Sequence, residues 1–135
     1  MEIREYKSKD YQQVVELWLR CGIELNQSDT LEELDKGQRH NPGLFLVAED
    51  DRRICGVALG FFNGRRGWVN HLAVSIEYRG RGLGKQLLAA LEERLVKLGC
   101  PRLNLHILPE SAGLQHYYAK LGYVRQDVIY MYKLL

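Results

Sequence analysis

The spacing of apolar positions changes period along the chain, and each change marks an element. Residues 2–6 alternate around Ile3, which predicts a first strand. Tyr11, Val14, Val15, Trp18 and Cys21 then recur at helical spacing. They predict a helix with one apolar face, capped by Ser8, carrying Asp10 in its first turn and stopped at Gly22. Trp18 reads as core rather than as pocket wall. Leu31 and Leu34 predict a shorter helix, capped by Ser28 or Asp29 and ended before Asn41-Pro42-Gly43. Residues 44–48 and 54–59 are apolar runs joined by Asp50-Asp51-Arg52-Arg53 and read as paired strands. Asn63-Gly64-Arg65-Arg66-Gly67 is a second hairpin turn, and a strand over 68–74 follows it. Leu83, Leu87, Leu88, Leu91, Leu95 and Leu98 share one face of a long helix that Gly99 terminates. Leu103, Leu105 and Ile107 alternate with Arg102, Asn104 and His106, giving another strand. Pro109-Glu110-Ser111 opens a short helix reaching Leu121. Residues 123–135, rich in Tyr, Val, Ile and Leu, read as one bent strand or a hairpin. The sum is an α+β fold, a mixed and mainly antiparallel sheet with about four helices in one domain spanning 1–135.

Composition narrows this picture. A chain of 135 residues with 46% apolar content suits one globular core. The net charge of +2, from 19 basic and 17 acidic residues, is too balanced for a nucleic-acid surface. No apolar run is long enough to cross a bilayer, so no membrane partner is expected. Cys21, Cys55 and Cys100 are scattered, with no metal-ligand or redox-motif spacing. They read as reduced thiols of a cytoplasmic protein that holds no metal.

One stretch carries candidate chemistry. Arg79-Gly80-Arg81-Gly82-Leu83-Gly84-Lys85 lies where the strand over 68–74 hands over to the long helix. Glycines admit close backbone approach, and a helix start presents unpaired N–H groups and a positive dipole end. Together they form a phosphate site. The P-loop pattern fails, because Arg79 stands at its first glycine and Gln86 at its hydroxyl residue. The dinucleotide pattern fails at Lys85 in one frame and at Leu87 in the other. An RNA-binding Arg-Gly tract is excluded by its setting between strand and helix.

A third pattern fits. Arg79-x-x-Gly82-x-Gly84, preceded by Leu72-Ala73-Val74, resembles the acetyl-coenzyme A loop of the GNAT superfamily of N-acetyltransferases. Tyr118-Ala119-Lys120-Leu121-Gly122-Tyr123 resembles that superfamily's late Tyr-x-x-x-Gly-Phe/Tyr segment, and the order of elements agrees from end to end. Within the superfamily the chain is most similar to the small bacterial YpeA-like branch. The resemblance implies the GNAT fold, with roughly six to seven strands and a splayed central strand pair. It also implies acetyl-coenzyme A as cosubstrate, an amine acceptor, and a monomer or homodimer.

The resemblance assigns roles residue by residue. Backbone groups of Leu72, Ala73 and Val74 would hold the thioester end of the cofactor, with the Leu72 N–H polarising the acetyl carbonyl. Amides of Arg79, Gly80, Arg81, Gly82, Leu83, Gly84 and Lys85 would hold the pyrophosphate, with the three basic side chains adding positive potential. Ser111 stands where the superfamily has a cofactor-binding Asn, and Leu114 where it has Ala. Tyr118 matches the tyrosine that gives the departing thiolate a proton, although Tyr117 and Tyr118 also read as core of a helix. Some members carry a base Glu on the strand matching 68–70, which this chain lacks, and others at the position of His106. His106 is therefore the base candidate, with His71 and Glu110 as alternatives. No Cys occupies a matched catalytic position, so direct attack in a ternary complex is expected. The alternative reading is a coenzyme A-binding sensor or structural module without turnover.

Overall fold

The computed structural model describes residues 1–135. Its regular elements are β1 (Glu2–Glu5), α1 (Tyr11–Arg20), α2 (Leu31–His40), β2 (Phe45–Asp50) and β3 (Arg53–Phe62). They continue with β4 (Gly67–Val74), α3 (Leu83–Lys97), β5 (Leu103–Asn104) and α4 (Leu114–Lys120). The strands form one sheet in the order β1-β2-β3-β4-β5. Every pairing is antiparallel except β4 with β5, which is parallel. Contacts divide the chain into Met1–Leu105 and His106–Leu135.

In the first unit, helices cover both faces of the sheet. Trp18, Leu17 and Val14 of α1 and Leu34 of α2 pack with Phe45, Val47, Val57, Leu59 and Ala73. Trp18 is fully buried, as its place on the apolar face predicts. On the other face Leu83, Leu87, Leu91 and Leu95 of α3 lie over Gly56, Gly60 and Gly67. The helical period named this stripe correctly except for Leu98, which lies just past the helix and is exposed.

Several local expectations are corrected. Ser8 does not cap α1; it opens a short 3-10 turn, and its hydroxyl donates to Asp35. The cap of α2 is Thr30, whose Oγ1 accepts from the Glu33 N–H at 3.2 Å, and neither Ser28 nor Asp29 fills that place. The turn expected at 50–53 does form, with positive φ at Asp51 and Arg52 and no glycine.

The sheet has five strands, fewer than the roughly six to seven that the resemblance implied. The strand expected over 103–107 is only Leu103–Asn104, and residues 123–135 form neither helix nor strand. Strand propensity is realised only where a ladder partner supplies hydrogen bonds. In the second unit the short helix of the sequence reading is a 3-10 turn over Pro109–Ser111 followed by α4.

Candidate active site

The geometry of β4 organises the candidate site of the first unit. Its ladder with β5 has only two rungs, Gly67 with Leu103 and Trp68 with Asn104. From Val69 onward β4 has a strand neighbour only on its β3 side. The β3 ladder is itself interrupted. Val57 pairs with Ala73 and Leu59 with Asn70, so His71 and Leu72 together oppose the single residue Ala58. This is a β-bulge, and it sets His71 at φ 51°, an unusual conformation for a residue other than glycine.

Three groups meet at the bulge. The Trp18 indole N–H donates to the His71 carbonyl at 2.9 Å, and the two rings meet edge to face at 4.9 Å. His71 Nε2 lies 3.1 Å from Asp29 Oδ2. That oxygen also accepts the Asn26 N–H at 3.1 Å, and the Tyr11 hydroxyl donates to the Asp29 carbonyl at 2.9 Å. Asp29 is 4% exposed. Sequence reasoning took Asp29 for a helix cap and missed this role. The partners are 42 positions apart, and no periodicity links them.

The glycine loop follows β4. Gly80 and Gly82 adopt φ 78° and 80°, and open space surrounds the site of an added Cβ at either. The requirement for glycine there is conformational, not steric. Gly82 is the residue before α3, and the first helical bond runs from the Gln86 N–H to the Gly82 carbonyl at 3.0 Å. The N–H groups from Gly80 to Lys85 find no acceptor within the chain. They form a run of unpaired donors at the positive end of a helix of 15 residues. A diphosphate fits this donor set.

Two basic side chains of the loop make contacts within the chain. Arg79 turns back, donating from Nε to the Val74 carbonyl at 3.0 Å and from Nη2 to Cys21 Sγ at 3.4 Å. Arg81 lies over the Tyr78 ring at 5.3 Å, and the Tyr78 hydroxyl donates to Asp50.

The second unit holds His106, Ser111 and Tyr118. The His106 ring packs on Tyr130 at 4.6 Å. Ser111 ends the 3-10 turn before α4. Tyr118 lies in α4 between Tyr117 and Tyr123, with ring centroids at 5.2 and 5.8 Å. Burial, reinforced by neighbouring Tyr117, pushes the Tyr118 phenol above its ordinary value. The phenol therefore stays protonated well above neutrality.

With this geometry in view, comparison with known proteins settles the class. The family model for the acetyltransferase (GNAT) family matches residues 11–123. An acetyltransferase of Yersinia pestis (strain Pestoides F) is 36% identical over 135 residues, covering 100% of this chain and 96% of its own. Acetyltransferase SG1711 of Sodalis glossinidius is 36% identical over 129 residues, covering 96% and 91%. Among solved structures, the PaiA N-acetyltransferase of Thermoplasma acidophilum in complex with coenzyme A superposes with a TM-score of 0.81. It is 21% identical, with coverage of 95% of this chain and 92% of that one. Ard1 of Thermoplasma volcanium gives 0.82 at 20% identity, covering 93% and 84%. The chain belongs to the GNAT acetyltransferase family and is an acetyl-coenzyme A-dependent acetyltransferase with that family's fold.

Proposed function

We propose that the chain transfers the acetyl group of acetyl-coenzyme A to the nitrogen of a primary amine, on a small molecule or a protein N-terminus. The transfer goes by direct attack in a ternary complex. The observation that carries this reading is the run of unpaired amides from Gly80 to Lys85, placed where β4 ends and beside its unpaired edge. The diphosphate sits on those amides. The pantetheine arm lies along β4 like an added strand, and the Leu72 N–H polarises the thioester carbonyl. Arg79 now occupies the Val74 carbonyl, so this side chain swings toward the phosphates as the arm takes its place.

Tyr118 gives a proton to the departing thiolate, and the family pattern nominates His106 as the base. Free thiols at Cys21, Cys55 and Cys100 suit a reducing cytoplasm. The chain works as one domain over 1–135.

Calorimetry with acetyl-coenzyme A, followed by thiol release with a panel of amines and N-terminal peptides, tests the reading. Binding with amine-dependent release is expected. Binding without release for any acceptor would make the protein a coenzyme A-binding module instead. In an active pairing, Tyr118→Phe lowers kcat by about 100-fold and leaves cofactor affinity in place, the loss of one positioned proton donor. Unchanged kcat would remove Tyr118 from the role.

A further inference from the structure

The geometry points to His71, oriented by Asp29, as the base that takes the proton of the acceptor amine. This rests on the acetyltransferase reading above and puts His71, only an alternative on sequence, in the role for which the family pattern nominates His106.

The argument starts at the bulge. Two residues of β4 opposite one of β3 turn His71 out of the regular ladder, and positive φ fixes its direction. Strain of this kind persists only where its surroundings hold it. Trp18 of α1 holds the carbonyl, and Asp29 holds the ring through Nε2. Asp29 Oδ2 already accepts the Asn26 amide, so the imidazole nitrogen facing it is the protonated one. The tautomer is thereby set, with Nε2 carrying hydrogen and Nδ1 carrying a lone pair. Nδ1 has no partner within the chain, and the side chain is 22% exposed. A buried carboxylate behind a partly exposed imidazole with one free lone pair is an arrangement for accepting a proton.

Its position suits the reaction. His71 immediately precedes Leu72, whose N–H is assigned to the acetyl carbonyl, and it lies on the sheet face covered by α1 and α2. The groups facing it are Asp29 from the turn before α2, and Trp18 with the more distant Tyr11 hydroxyl from α1. At the end of β4, Cys21 and Arg79 sit on the Val74 carbonyl.

The step balances. The ammonium of the acceptor gives one proton to Nδ1, forming an imidazolium whose charge Asp29 offsets. The freed nitrogen lone pair forms the C–N bond, and the carbonyl electrons move to oxygen. When they return, the C–S bond breaks. Tyr118 gives its proton to the departing thiolate, the second proton of the nitrogen passes through solvent to restore the Tyr118 hydroxyl, and the imidazolium returns its proton to water. The net change is one proton released per acetyl transferred.

The test uses the full chain with whichever amine the panel identifies. His71→Gln should lower kcat/KM by about 100-fold with acetyl-coenzyme A affinity unchanged. The deficit should shrink as pH rises through the amine's own titration, and should be small for an aromatic amine that is already neutral. Asp29→Asn, which keeps a hydrogen-bond acceptor but loses the charge, should lower kcat/KM about tenfold. Nitrogen-15 NMR of the unliganded wild type should show the Nε2–H tautomer for His71, and the Asn variant should lose that bias. Should His71→Gln unfold the chain, Asp29→Asn and the tautomer measurement decide. A folded His71→Gln variant with wild-type kcat/KM, or a pH-independent deficit, overturns the inference while the acetyltransferase reading stands. A large pH-dependent deficit in His106→Gln alone would also overturn it. A wild type that releases no thiol with any amine overturns both.

Discussion

The two faces of the sheet are packed on opposite principles. Against α3 the sheet presents glycines, and leucines fill the space they leave. A Cβ at Gly56 would lie 2.8 Å from Leu87 Cδ1, and one at Gly67 would lie 2.9 Å from Cys100 Sγ. Against α1 and α2 the packing is aromatic, with Tyr6 stacked on Phe45 at 4.1 Å and Trp18 parallel to Phe45 at 6.4 Å. That second face also takes in charge. Asp10 and Asp29 are buried, the first on Arg4 and the second on His71. A face packed by leucine on glycine holds the scaffold together. A face that buries carboxylates stabilises particular partners in particular places, at a desolvation cost that only specific pairing offsets. The same surface that costs more to build is the one where β4 bulges and presents an imidazole.

The largest effect that separates the faces is steric. Gly60 accepts no side chain, because its Cβ would sit 2.4 Å from Leu91 Cδ1 and 2.6 Å from the Leu44 carbonyl oxygen. Leu91 can rotate, but the Leu44 carbonyl is fixed by its bond from the Gly60 N–H at 2.9 Å. Gly60→Ala should therefore cost about 3 kcal/mol of stability, at the upper end of overpacking effects. Denaturant unfolding measures it. Activity per folded molecule should not change, since Gly60 meets Leu91 and Leu44 and not the glycine loop that opens α3. A cost under about 1 kcal/mol would show the α3 interface to be as adaptable as a loop.

Electrostatics supplies the next effect, on the other face. Arg4 gives Asp10 two hydrogen bonds, at 2.8 and 2.9 Å, and the Lys7 N–H gives a third at 2.9 Å. Burial pushes the Asp10 carboxyl up, but the Arg4 hydrogen bonds and charge and the Lys7 amide outweigh it and hold it below its ordinary value. A carboxyl depressed on folding stabilises above its unfolded pKa, and that stability is lost as pH falls through the folded value. Asp10→Asn should cost about 2 kcal/mol at pH 7, less than full removal of a buried partner because Asn still accepts. The gap from wild type should close at an acid pH below the depressed folded value of Asp10. Unfolding midpoints at the two pH values check this. An equal gap at both would mean that the carboxylate charge contributes nothing.

This contrast also explains what the sequence made legible. The α3 face was readable residue by residue, because leucines at helical period need no knowledge of what they meet. The glycine loop was readable because positive φ at Gly80 and Gly82 is a local demand. The polar pairs were not. Asp29 looked like a cap, and its carboxylate is used across the fold on His71; Ser8 looked like a cap, and its hydroxyl goes to Asp35. Short polar side chains satisfy local or distant partners equally well, so letters alone do not choose between them. Nor does alternation reveal where a ladder ends. Residues 103–107 alternate throughout, yet the rungs with β4 stop at Asn104.

The smallest effect asks whether every polar atom on the α1/α2 face is placed for a reason. The Tyr6 hydroxyl is buried without a hydrogen-bond partner, and so is Asp35 Oδ1. Burial first, and then the negative charges of Asp35 and Asp10, push the Tyr6 phenol far above its ordinary value. It does not ionise in the working range and contributes no pH dependence there, unlike Asp10. What it contributes is ring area stacked on Phe45, which phenylalanine would keep. Removing a buried hydroxyl that has no partner relieves its desolvation, so Tyr6→Phe should be neutral or stabilising by up to about 1 kcal/mol. Denaturant unfolding reads the change. A loss greater than about 1 kcal/mol would mean that a bound water joins the phenol to Asp35. The α1/α2 face would then pair all of its buried polar groups, and its contrast with the α3 face would be sharper still.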